Sequence, residues 1–342
     1  MSVHPLIFEP ILVPKIWGGR RLADCFGKPL PVGERIGESW ELADLPAAES
    51  VVREGPCKGR SLNALVREWG ADLLGSAAPV AGRFPLLVKF LDANDDLSVQ
   101  VHPTQRIADV EPNAHLKNEA WYVLAAERGG AIYYGLEAGV TRERFVAALE
   151  RGEVAPLERG EVAPLLRRVP VKPGDCYYLP SGTVHALGAG VLVAEIQTPS
   201  DTTYRLFDWN RVDASTGKPR TLHIEQALRC IDFDSPPPPL VIERSHVAGV
   251  WTTVTRLVAC EQFIMEKVRM PEGAEQKIPF DEPVVWMLLE GEVEIAYDGG
   301  PNLTARPGDT VLLPAALKDG RVKVNKAAVW IEASIPIAAK RR

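Results

Sequence analysis

Gln100 and His102 alternate with Val99 and Val101, so on an extended strand the two polar side chains share one face and the valines the other. Glu119, in Lys117-Asn-Glu119-Ala-Trp121-Tyr122, and His185, in Pro180-Ser-Gly-Thr-Val-His185, can supply further ligands from later strands. Imidazole, carboxylate and amide together suit Zn²⁺ or another borderline divalent ion, and such a site becomes catalytic when a coordination position stays open. The competing reading is a His-Pro turn with a hydrogen-bonded histidine. Only six histidines occur in the chain, and the fall of two of them in such strongly patterned segments favours the metal.

Strands must carry these groups. Residues 84–92 read as a buried strand, and 97–102 as its antiparallel neighbour across the turn Ala93-Asn94-Asp95-Asp96, together carrying Lys89, Ser98, Gln100 and His102. Further strands are expected at 119–124 and 129–135, and again across 169–198 with a turn at Pro173-Gly174. Segment 61–75 opens on Ser61, has helical apolar spacing and stops at Gly75, which predicts one helix; another follows Thr141. The sequence 149–156 repeats letter for letter as 157–164. This duplication is expected to lengthen a surface connection, where insertions cost little.

The chain has 342 residues, 46% hydrophobic and 25% charged, with 29 prolines and 28 glycines, a balance that favours turn-rich β structure over bundled helix. A formal charge of −6 leaves no broad basic surface, which argues against nucleic acid or an anionic membrane as partner and for a small molecule. The five cysteines are scattered without C-x-x-C spacing and read as reduced. The first residues lack a signal pattern and no apolar run approaches membrane-spanning length, so the expected location is cytoplasmic.

Ser235-Pro-Pro-Pro-Pro-Leu240 marks a linker at 235–240 between an N-terminal region, 1–234, that holds the metal-binding residues, and a C-terminal unit, 241–342. The second unit echoes the first. Laying Pro307-Gly308-Asp309 on Pro173-Gly174-Asp175 puts Asp319 opposite His185, and laying Trp286 on Trp121 puts Val284 opposite Glu119. The second copy therefore lacks the ligands, and its expected work is structural.

Paired β modules, each with Pro-Gly-Asp followed after four intervening residues by proline, resemble the cupin superfamily. More closely, 98–103, 117–122, 180–187 and the run from Glu195 through Arg205 to Arg211 resemble type I mannose-6-phosphate isomerases, in that family's order and from about Lys15 to Arg211, with a weaker continuation beyond. The resemblance implies a mainly β fold of two jelly-roll cupin modules with a few helices, in the short bacterial form without a large helical insertion. It implies interconversion of mannose 6-phosphate and fructose 6-phosphate with one Zn²⁺ per chain on Gln100, His102, Glu119 and His185. The partner would be a small sugar phosphate, and the protein a monomer or weak homodimer.

Such a reaction moves a proton between C2 and C1 while charge builds on the carbonyl oxygen, so it needs an electrophile and a base. Arg205 matches the family's catalytic arginine, and its permanent cation suits the enediolate or the phosphate. Lys117 shares a strand face with Glu119 and is placed to act as acid or base, with Glu195 and Glu38 as carboxylate competitors. Lys89, Ser98 and Arg211 are phosphate-binding candidates, Arg211 standing where many relatives carry lysine. Trp17 belongs to a segment whose family counterpart lines the pocket. The rival readings are another metal-dependent cupin enzyme, such as a different sugar-phosphate isomerase, and a noncatalytic sugar-binding cupin.

Overall fold

Period-two alternation decides how the first half folds. Along Leu87–Ala93, Val88 and Phe90 oppose Lys89 and Leu91; along Glu119–Ala126, Ala120 and Tyr122 oppose Glu119 and Trp121; along Val191–Gln197, Ala194 and Ile196 oppose Val193 and Glu195. The register aligns these sets, with Glu195 paired to Lys89 on one side and to Trp121 on the other. The structure is a computed structural model that describes residues 3–154, 162–213, 216–234, 244–247, 252–279 and 281–336. It is mainly β, with a few short helices.

The three strands belong to a six-stranded sheet ordered Cys176–Leu179, Glu119–Ala126, Val191–Gln197, Leu87–Ala93, Ile11–Gly19, Ile36–Leu42. A five-stranded sheet, ordered Leu166–Pro170, Ala131–Leu136, His185–Leu187, Val99–Val101, Tyr204–Phe207, faces it. Between them lies an apolar layer that includes Trp17, Leu91, Trp121, Val123 and Tyr134. The outer face of the five-stranded sheet, with Val99, Val101, Ala186 and Leu206, is covered by Phe145 and Leu149 of helix Arg142–Val154 and by Ala227 and Leu228 of helix Ile224–Cys230. The outer face of the six-stranded sheet packs Val88, Phe90, Ala120 and Ile196 against Met265, Val285, Met287 and Ile331 of the second half.

One expectation is overturned. Residues 84–92 and 97–102 are not hydrogen-bonded neighbours, because Val99–Val101 pairs with His185–Leu187 and Tyr204–Phe207 in the facing sheet. The connection between them crosses from sheet to sheet: the Asn94 and Asp95 N–H groups both donate to the Trp17 carbonyl, and Asp96 accepts from the Ala189 N–H. The expected helix at 61–75 is also shorter than its pattern. Ser61 caps Leu62–Trp69 by accepting from the Ala64 N–H at 3.3 Å, but the helix breaks at Gly70 before a last turn, Ala71–Leu74. Thr141 Oγ1 accepts from the Arg144 N–H as expected of a cap. The first duplicated copy continues that helix to Val154; the junction of the copies, 155–161, lies outside the described residues, as does the proline run 235–240. The five cysteines are free.

The second half forms a nine-stranded sheet that recruits the N-terminal strand Leu6–Ile7 beside Thr310–Leu313. The echo seen in the sequence is matched in register. Glu119 pairs with Leu179 and Trp121 with Tyr177; Val284 pairs with Leu313 and Trp286 with Val311. Both Pro-Gly-Asp turns place glycine at positive φ, 95° at Gly174 and 88° at Gly308, where a Cβ would be strained. In each, the aspartate accepts from the N–H three residues before it.

The likeness extends to a cross-strand pair. Trp121 Nε1 donates to Glu195 and Trp286 Nε1 to Glu332, both at 2.7 Å, and each glutamate is the strand partner of its tryptophan. The next strand differs: Glu195 faces Lys89, whereas Glu332 faces Glu266. Burial first, and Glu266 in addition, push the Glu332 carboxyl up to about 7 against the Trp286 hydrogen bond. A raised carboxyl stabilises the fold while protonated, so this contribution is present below about pH 4.5 and is lost as pH rises toward 7. Its size is on the order of 3 kcal/mol from the shift. Glu332→Gln should therefore be more stable than the parent at pH 8 and lose that advantage at pH 4.5, read from urea melts; an unchanged difference across this range would show that Glu332 does not titrate there.

Candidate active site

The chain turns out of strand Val99–Val101 so that His102 stays on the side of Gln100, facing Glu119 across the space between the sheets. His102 Nε2 lies 3.5 Å from Glu119 Oε2, and His185 Nε2 lies 3.0 Å from Glu119 Oε1. One ligand atom from each of the three residues falls within 4.8 Å of the others, and all three side chains are buried. Each ring is held from behind: His102 Nδ1 donates to the Thr202 carbonyl at 3.0 Å and His185 Nδ1 to the Thr183 carbonyl at 2.9 Å. Nε2 is therefore the nitrogen aimed at Glu119, the arrangement that second-shell carbonyls impose on metal-binding histidines.

Burial, and then the Lys117 charge, hold His102 at about 3, so its Nε2 carries a lone pair. Burial works to raise Glu119, but Lys117 and the two histidines outweigh it and keep the carboxyl well below its ordinary value. A lone pair and a carboxylate pointed at each other need a cation between them. The Lys117 ammonium fills that need, 2.9 Å from Glu119 Oε2 and 3.1 Å from His102 Nε2, and so stands where a divalent ion would make the same contacts. Neither Glu119 oxygen receives a hydrogen bond of normal geometry. A buried carboxylate with unfilled acceptor capacity beside two imidazoles fits a divalent metal. Gln100 lies at the edge, its Nε2 3.3 Å from His185 Nε2; a half-turn of its amide presents Oε1 instead.

A cavity of about 190 Å³ opens beside the cluster, and Trp17, Glu38, Lys89, Ser98, Gln100, Lys117, Glu195 and Arg205 all line it. Lys89 lies between Glu38 at 3.4 Å and Glu195 at 3.5 Å, and over the Trp40 ring. Burial acts to raise Glu38, yet Lys89 and then Lys15 hold it at about 2. Burial acts to lower Lys89, but Glu38 and Glu195 push it above its usual value. Glu195 is raised, by burial and by the Glu119 charge. Arg205 reaches Ser98 Oγ from Nε at 3.2 Å and the Thr221 carbonyl from Nη1 at 3.0 Å.

Comparison with known proteins gives the family of the chain. Residues 7–131 match the model of the phosphomannose isomerase type I catalytic domain. The chain is 39% identical over 326 residues to the mannose-6-phosphate isomerase ManA of Bacillus subtilis, covering 94% of this chain and 97% of that one. It is 37% identical to the mannose-6-phosphate isomerase of Streptococcus mutans over 92% of this chain and 94% of that one. The chain belongs to the type I mannose-6-phosphate isomerase family. A crystal structure of the Bacillus subtilis mannose 6-phosphate isomerase superposes with a TM-score of 0.84 at 32% identity, over 97% of this chain and 99% of that one.

Of the residues expected to bind phosphate, Lys89 and Ser98 line the cavity and Arg211 does not; its guanidinium is held by Asp208 at 2.6 Å and by the Asp96 carbonyl at 2.5 Å. Two lining cations were missed, Lys15, 2.9 Å from Glu38, and Arg220, which binds Asp208 through Nε at 2.7 Å. Lys15 precedes Trp17 by two residues on strand Ile11–Gly19, so alternation offered a signal. Arg220 follows the small Val212–Asp213 and Lys218–Pro219 ribbon, and nothing local in the sequence points it inward.

Lys89 is the buried counter-charge shared by two buried carboxylates. Lys89→Met leaves both without it and should cost about 3–5 kcal/mol of stability at pH 7, measured by urea unfolding. A loss below about 1 kcal/mol would mean that Lys15, Trp40 and Trp121 suffice.

Proposed function

We propose that the cavity between the facing sheets is where this isomerase interconverts mannose 6-phosphate and fructose 6-phosphate, with one zinc ion on His102, Glu119 and His185 and with Gln100 as the weaker neighbour. We further read each half as a cupin module, the second without ligands. The observation that carries the assignment is the convergence of a carboxylate and two imidazole nitrogens, the rings held by backbone carbonyls, beside a cavity lined by Gln100, Lys117 and Arg205. A zinc ion bound there would supply Lewis acidity for the negative charge that builds on the sugar oxygens.

The rest falls to side chains. In the open-chain aldose a proton leaves C2 and is returned at C1, while a hydroxyl proton passes from O2 to O1. We assign the carbon-to-carbon transfer to Lys117, whose amine is adjacent to Glu119 and His102 and lines the cavity. Glu195, tied to Trp121 and raised by burial, is the competitor. Arg205 is paired in register with Gln100 and is anchored by Ser98, so its guanidinium is placed to stabilise the enediolate. Arg205, Arg211 and Arg220 are balanced locally by Asp208, leaving a surplus of positive charge suited to the phosphate dianion; Arg220, on the cavity wall, is its most direct contact.

Purified protein loaded with Zn²⁺ should isomerise mannose 6-phosphate in preference to other hexose phosphates, lose activity with a chelator and regain it with metal. Absence of turnover with metal bound would overturn the assignment. Lys117→Met should lower kcat by about 10²–10⁴-fold and abolish isotope exchange at the transferred hydrogen while metal content stays stoichiometric. Exchange that persists would transfer the role to Glu195.

A further inference from the structure

The second half keeps a polar cavity that the isomerase chemistry does not use. About 200 Å³ in volume, it is lined by Thr252, Arg256, Gln276, Trp286, Trp330 and Glu332 among others. Its position in the fold corresponds to the active-site cavity, since Trp286 and Glu332 occupy the registers of Trp121 and Glu195. Conversion of the Glu119 and Lys89 registers to Val284 and Glu266 removes the central carboxylate and the buried lysine. Had the cavity become a purely structural core, apolar side chains would fill it at lower cost, because a buried carboxylate without a cation is expensive.

Glu332 persists, 7% exposed, with the Trp286 N–H as its hydrogen-bond donor. The Trp330 indole N–H, on a side chain only 2% exposed, has no hydrogen-bond partner of normal geometry, though it lies near enough to Glu332 to favour the charged form. Thr252 Oγ1 donates to Gln276 Oε1 at 2.7 Å, which fixes the amide so that its NH₂ makes no hydrogen bond among the described residues. Arg256 is committed to Glu266 at 2.9 Å. The cavity thus offers a carboxylate acceptor, indole and amide donors and two indole surfaces, with its arginine already neutralised.

We infer that the C-terminal half holds a second small-molecule site, for a neutral polyhydroxylated ligand about the size of one hexose ring. Hydroxyl groups donate to Glu332 and accept from Gln276 and Trp330, while C–H faces rest on the indoles. The volume lies below the about 300–1,000 Å³ of sites for drug-sized ligands, which limits the occupant to a single ring. Glu266 and Glu332 line the cavity against Arg256 and Lys277, so it has no surplus of positive charge for a phosphate ester, and this site and the catalytic one select different ligands.

The test is calorimetric titration of the intact chain with free mannose, fructose and glucose, with and without saturating fructose 6-phosphate. At least one neutral hexose should bind one-to-one with a Kd of about 1 mM or tighter and resist displacement by the sugar phosphate. Glu332→Ala and Gln276→Ala should each weaken it about tenfold or more with isomerase kcat unchanged. Gln276, on the short strand Glu275–Lys277, serves if loss of Glu332 impairs folding. Absence of saturable binding, displacement by fructose 6-phosphate, or undiminished binding in the Gln276 variant would each overturn the inference.

Discussion

A carboxylate that is fully buried must be answered by positive charge, and Glu119 imposes that demand on the first half of this protein. It sits in the strand Glu119–Ala126 with no solvent exposure. Lys117, at the strand's entry, supplies a cation to it directly, and Lys89 of the same sheet adds its charge from farther off. The facing sheet brings the His102 and His185 imidazole nitrogens to 3.5 and 3.0 Å from its two oxygens. That requirement ties the spacing of the two sheets to the site: the rings reach Glu119 because Thr202 and Thr183 carbonyls hold them from behind. Desolvation keeps His102 neutral, while Lys117 and the two histidines keep Glu119 charged against its own desolvation, and these are the two protonation states that metal binding needs.

Several local features recur in the two halves with different electrostatics. Pro-Gly-Asp turns, strand registers and a tryptophan-to-glutamate hydrogen bond recur in both halves, so these features belong to the architecture. What separates an isomerase cavity from a different one is a handful of inward positions: Glu119 against Val284, Lys89 against Glu266. In the first half the lysine keeps Glu38 ionised and lifts the overall charge of the wall. In the second, burial and, in addition, a glutamate at the same register push Glu332 toward neutrality.

Much of this was legible in the chain because alternation is local. Gln100 and His102 between valines, and Glu119 two residues from Trp121, declare which side chains share a face, and the structure brings His102, Glu119 and His185 together. Sheet membership is not local. The strands at 87–93 and 99–101 look like a hairpin, and nothing in the five residues between them reveals that the Asn94 and Asp95 N–H groups are claimed by the Trp17 carbonyl and the Asp96 carboxylate by the Ala189 N–H. For the same reason Arg211 and Arg220 could not be told apart from sequence. Both are arginines near Asp208, and only the path of the ribbon between them decides which one meets the cavity.

The strands that carry the site are positioned from behind as well as from in front. Alternation puts Ala120 and Tyr122 on the reverse of Glu119 and Trp121, and Ile196 on the reverse of Glu195; these residues share one apolar core with Met265, Met287 and Ile331. Polar bonds reinforce that contact, since Lys28 reaches both Glu41 and the Gly308 carbonyl at 2.7 Å and Arg53 bonds Asp309 at 2.9 Å. A sheet that carries ionisable groups among the apolar residues of its inner face gains less from burying that face, so the outer one, where the second half supplies the apolar partner, adds to its stability. The C-terminal half is thus energetically coupled to the candidate site although His102, Glu119 and His185 all come from the first half, and an apolar substitution in their shared core reaches Glu119 through one strand's thickness.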